Sequence, residues 1–141
     1  MKKYNPLIVT SAIILLFNGI PALLAGGGLI YDPSGQGLGM DTGLLANSPF
    51  NNFLIPGMIL FLMNGVCSFI VFASILRKRE NYPRLILCQG VILTMWIAFQ
   101  IMLITDPSWL QLIYGFAGIF LMTFGLLLEH AEYRKKILQE A

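Results

Sequence analysis

Ser48 to Ser74 reads SPFNNFLIPGMILFLMNGVCSFIVFAS. A polar and aromatic lead-in, Ser48-Pro49-Phe50-Asn51-Asn52-Phe53, passes directly into an apolar run that continues to Leu76. From Leu54 the run carries no charge, and Asn64 stands near its middle. About 20 residues at about 1.5 Å each cross a bilayer, so this segment is long enough to span one as a helix.

Working outward, three further apolar segments have the same character. The pattern predicts helices over about 7–31, 54–76, 85–104 and 109–128. A long loop at 32–53, a short basic loop at 77–84 and a charged tail at 129–141 complete the chain. Pro6 suits a helix start, and Pro56 falls in a first turn where proline is tolerated. Asp106-Pro107-Ser108 reads as a tight turn, with Asp106 or Ser108 able to cap the next helix. The tail is expected to prolong the last helix. The second half of the long loop, Thr42 to Phe53, is expected to form a short amphipathic element over the mouth of the bundle. The expectation is one all-α domain, a membrane bundle of four helices in two hairpins.

Composition supports this class. Hydrophobic residues make up 57% of the 141 and charged residues 11%, against roughly 25% charge in a soluble domain. The nine Lys and Arg fall in three groups: Lys2 and Lys3; Arg77, Lys78, Arg79 and Arg84; Arg134, Lys135 and Lys136. The other two connections hold Asp32, Asp41 and Asp106 instead. The positive-inside rule then predicts both termini and the 77–84 loop in the cytoplasm. Tyr4, Tyr31, Tyr82, Trp109 and Tyr114 suit aromatic belts at the two interfaces. The Arg77, Lys78, Arg79 and Arg84 group is expected to meet anionic lipid headgroups. A net charge of +2 gives no reason to expect nucleic acid.

The first apolar run is too long for the core of a signal peptide. Leu23-Leu24-Ala25-Gly26 makes a poor cleavage site, so this run is expected to remain a helix. Cys67 and Cys88 form no CxxC pair and read as buried thiols.

Polar residues inside the spans are the candidate functional groups. Asn18, Asn64, Gln89, Trp96 and Gln100 are expected on inward faces, the amides forming a ladder down the bundle. Two readings stay open. The amides line a cavity, or they hydrogen-bond across helices as structural glue worth about 0.6–2 kcal/mol each. No Asp, Glu, Lys, Arg or His lies in the apolar spans, so a proton relay or ion path has no support. Asp32 and Asp106 are candidates for a paired site at the outer mouth, with turn initiation as the alternative. Gly115, Gly118 and Gly125 form a ridge that must face another helix, within the chain or in a homo-oligomer. His130 is the single histidine, too few for a zinc site without other ligands. No cofactor motif or catalytic constellation is present, so no enzyme is expected.

The stretches FNGIPALLAGGGLIYDPSGQGLGM from Phe17, SPFNNFLIPGMILFLMNG from Ser48 and QGVILTMWIAFQ from Gln89 resemble those of uncharacterised small bacterial four-helix integral membrane proteins. In size and helix count the chain is also similar to the DoxX-like proteins. The resemblance implies a bacterial inner membrane and a four-helix bundle, and it carries no activity. The expected role is an accessory or interaction protein with a membrane partner. The alternative is a small transporter or lipid-binding protein with a cavity lined by Asn and Gln.

Overall fold

A computed structural model describes residues 5–104 and 106–141. Lys2, Lys3 and Tyr4 lie outside them. Four long helices make up the fold: α1 (Pro6–Tyr31), α2 (Leu54–Leu76), α3 (Tyr82–Leu103) and α4 (Trp109–Glu140). All four are long and apolar enough to cross a membrane. No strand occurs among the described residues.

Local chemistry sets the helix ends. Asn5 Oδ1 accepts from the Leu7 N–H at 3.0 Å, which satisfies one orphan donor of α1, and Pro6 opens the helix with its φ already suitable. At the start of α4, Gln111 Oε1 accepts from the Ser108 N–H at 2.8 Å, the returning arm of a capping box. Pro83 lies in the first turn of α3, where its missing N–H costs nothing, so α3 starts at Tyr82 and not at Leu85. The tail continues α4 to Glu140. Its 32 residues give a rod of about 48 Å, longer than a hydrocarbon core of about 30 Å.

Glycine brings the helices together in pairs. In the first hairpin, a Cβ on Gly26 would lie 2.7 Å from the Phe61 main-chain nitrogen, and one on Gly57 would lie 2.7 Å from Leu29 Cβ. In the second, a Cβ on Gly90 would lie 2.5 Å from the Met122 nitrogen, and one on Gly125 would lie 2.6 Å from the Leu87 nitrogen. Gly118 meets Thr94. Bare backbone thus packs on backbone where no side chain fits. The Gly118 and Gly125 ridge is used inside the chain, between α3 and α4, so it offers no seam to a second copy. Gly115 sits at the looser end of the same ridge, where a Cβ would make ordinary contact with Ile97 at 3.8 Å.

The hairpins meet over a core that includes Leu15, Val71, Ile86, Leu93 and Leu121. A separate cluster of Leu29, Leu45 and Phe53 closes the end that carries residues 32–53. This is the loop end of the bundle, and the end carrying Arg77–Arg84 is the basic end. Within the loop, Thr42–Leu45 forms one 3₁₀ turn and folds Leu45 inward. Cys88 departs from expectation. It is exposed because its neighbours Gln89 and Gly90 take the inward positions, which turns Cys88 outward.

Candidate functional site

The site begins with a defect in α2. Leu60–Val66 is π-helical, so each N–H reaches back five residues instead of four. The Cys67 N–H bonds to Leu62 O in that register. The chain returns to α pitch at Cys67. Side chains from two other helices meet the π segment. Asn18 Nδ2 on α1 donates to Asn64 O at 3.2 Å and to Ser68 Oγ at 2.9 Å. Gln89 Nε2 on α3 donates to Met63 O at 3.1 Å. Each amide adds a hydrogen bond to the main chain of the π segment in an apolar interior, and so stabilises that segment in place.

The expected ladder divides at this level. Asn64 and Gln89 are sealed in protein at 0% and 1% exposure. Asn64 Nδ2, Asn64 Oδ1 and Gln89 Oε1 find no hydrogen-bond partner among the described residues. Asn64 therefore serves through its main-chain carbonyl and not through its side chain.

Toward the loop end, a cavity of about 380 Å³ opens between the hairpins. Asn18, Trp96 and Gln100 line it, whereas Asn64 and Gln89 do not. Asn18 and Leu60 mark its deep end. Leu29 and Leu93 belong to its walls, and Leu45 and Phe53 from the loop help to close it. Trp96 packs on Phe99, ring centroids 5.9 Å apart, and both rings face the space. Among the described residues, no Asp, Glu, Lys, Arg or His lines it. Its volume is within the range of small-molecule sites, roughly 300–1,000 Å³.

Gln111, Tyr114, Phe53 and Phe99 also line the cavity, and the reading of the sequence did not select them as site residues. The Ser108-x-x-Gln111 spacing signals a capping arrangement, but nothing in it marks Gln111 as facing a cavity. Phe53 comes inward because the Phe53 N–H bonds to Pro33 O at 2.8 Å, a long-range contact with no local signature.

The aspartates play different parts. Asp32 Oδ1 accepts from Ser34 Oγ at 2.6 Å and from the Ser34 N–H at 3.2 Å, and Oδ2 accepts from the Gly37 N–H at 3.0 Å. The Ser34 hydroxyl, then the Gly37 amide, hold this carboxyl below its ordinary pKa of 3.8. Asp32 thus fastens its own loop, and Asp106 stands exposed in its turn. His130 lies in a shallow groove at the basic end with Glu129, Glu132 and Lys136. Among the described residues no three His, Cys, Asp or Glu side chains gather closely enough to hold a metal.

No protein-family model, curated protein or solved structure matches the chain. The functional reading therefore rests on geometry and chemistry alone.

Proposed function

We propose that this protein is a multi-pass inner-membrane protein that holds a hydrophobic small molecule or lipid between its two hairpins. One observation carries the reading: an uncharged, largely apolar cavity of about 380 Å³ sits between helices that pack closely elsewhere. Close-packed interiors contain few voids larger than a water molecule. A space of this size lined by Trp96, Phe99 and Phe53 is therefore better read as a binding site than as a packing defect. Binding, and not catalysis, is the proposed activity.

The basic clusters support an orientation with both termini and the 77–84 loop in the cytoplasm. Arg77, Lys78, Arg79 and Arg84 would then lie at the anionic inner leaflet, and the cavity would open toward the outer leaflet. A purely accessory role, with a partner chain seated on the bundle, draws support from the exposed apolar face of α4, where Leu112, Phe116, Ile119 and Phe120 point outward. Lipid covers such a face equally well, whereas the cavity supports the ligand-binding reading.

Native mass spectrometry of the purified chain in mild detergent tests the proposal. A retained small molecule or lipid at unit stoichiometry is expected, lost on filling the cavity with Ala22→Phe. A wild-type chain that carries nothing, and is stabilised by no added lipid, would refute it.

A further inference from the structure

We propose that the cavity selects a neutral lipophilic alcohol or phenol and holds its hydroxyl on Asn18 Oδ1; the inference rests on the cavity being a ligand site, as above. The orientation of the Asn18 amide carries it. Nδ2 lies 3.2 Å from Asn64 O and 2.9 Å from Ser68 Oγ. A main-chain carbonyl only accepts, so the nitrogen must face it. Turning the amide over would set Asn18 Oδ1 against Asn64 O, two acceptors in an apolar interior. The π segment thus fixes Asn18, and its Oδ1 points away from those partners.

That oxygen accepts no hydrogen bond from any described residue. It differs from Asn64 Oδ1, which is wholly enclosed. Asn18 is 3% exposed and lines the cavity. A buried amide oxygen left in an apolar space calls for a donor.

The rest of the lining narrows the chemistry. An ammonium would supply a donor but would be buried with no counter-ion, since no acidic side chain among the described residues lines the cavity. A carboxylate would lack a counter-ion and place its lone pairs against those of Oδ1. Ethers and esters bring no donor. A hydroxyl is the smallest neutral donor. Gln111 stands nearer the mouth with its Oε1 held by the Ser108 N–H, which leaves Nε2 as a donor for water or for an acceptor farther along the ligand. The apolar body of the ligand lies between, along Trp96 and Phe99.

The test uses the full chain in lipid nanodiscs with Trp109→Phe, which leaves Trp96 as its only tryptophan. Trp109 is 69% exposed and does not line the cavity. Three brominated probes quench Trp96: ω-bromodecanol, its methyl ether, and ω-bromodecanoate at alkaline pH. Saturable quenching by the alcohol is expected. The ether should bind about five- to ten-fold more weakly, the worth of one hydrogen bond, and the carboxylate more weakly than the ether. Asn18→Leu should bring alcohol and ether to equal affinity, and the comparison in the Asn18 chain decides the matter even if that variant does not fold. Equal binding of alcohol and ether would overturn the hydroxyl assignment and leave the cavity a ligand site. Tightest binding by the carboxylate would overturn the neutral class. No saturable quenching by any probe would overturn both proposals.

Discussion

Gln89 on α3 donates its side-chain amide to the main-chain carbonyl of Met63 on α2, 3.1 Å away. Among the described residues no other side-chain hydrogen bond joins the two hairpins within their apolar spans. The contact falls on the π segment, so the irregular turn of α2 is also the place where the second hairpin is tied on. Gln89→Leu should cost about 0.6–2 kcal/mol, the range for an interhelical amide in a membrane. Thermal unfolding in detergent measures it. A variant as stable as wild type would show that apolar packing alone holds the hairpins together.

Asn18 and Asn64 should respond differently to the same change. Asn18 donates two hydrogen bonds, so Asn18→Leu should lower the melting temperature. The Asn64 side chain is sealed and makes none. Asn64→Leu keeps the branched shape and removes an undischarged desolvation cost, so it should be neutral or stabilising by about 1 kcal/mol. Equal destabilisation by both would show that the Asn64 amide is a structural bond.

The glycine seams make a graded prediction. Gly90→Ala and Gly125→Ala press a methyl group onto main chain of the facing helix and should cost about 1–3 kcal/mol, as overpacking does. Gly115→Ala meets only ordinary contact and should be neutral or stabilising by about 0.5–1 kcal/mol through helix propensity. Gly118→Leu should part α3 from α4 within one chain without changing the oligomer profile. If only the oligomer profile changed, the ridge would face another copy.

The Asp32 loop should depend on pH in one direction. Its carboxyl pKa is lowered in the folded chain, so the stabilisation it contributes is complete above the unfolded value of about 3.8 and is lost as pH falls through the lowered folded value. The Gly37 amide resonance, followed by NMR during acidification, should stay constant to about pH 4 and then move. In Asp32→Asn that transition should be absent. A midpoint above 3.8 would contradict the bonded geometry.

Orientation has its own measurement. In a background with Cys67 and Cys88 replaced by serine, cysteines introduced at Gly37 and Ser108 should react with an impermeant maleimide added to intact cells. One at Asn81 should react only after lysis. Labelling of Asn81 from outside would reverse the proposed orientation.

Length, hydropathy and turn chemistry determined much of this protein in the sequence itself. Four apolar runs, Asn5-Pro6 and Ser108 at helix starts, and the inward glycine ridge of the last helix are local patterns with local causes. Asn18, Trp96 and Gln100 were also legible as inward residues, because a polar or large aromatic side chain on the small-residue face of a span has few other places to go. Tertiary structure alone decided which amides seal and which remain open. Asn64 and Gln89 are enclosed by protein whereas Asn18 lines the cavity, and no periodicity in Leu60–Val66 announces the π turn they surround. It also decided that Phe53 and Gln111 share a cavity wall with Trp96. Those positions come from three separate segments, and their meeting depends on how two hairpins dock, a property of the assembled bundle that no single stretch encodes.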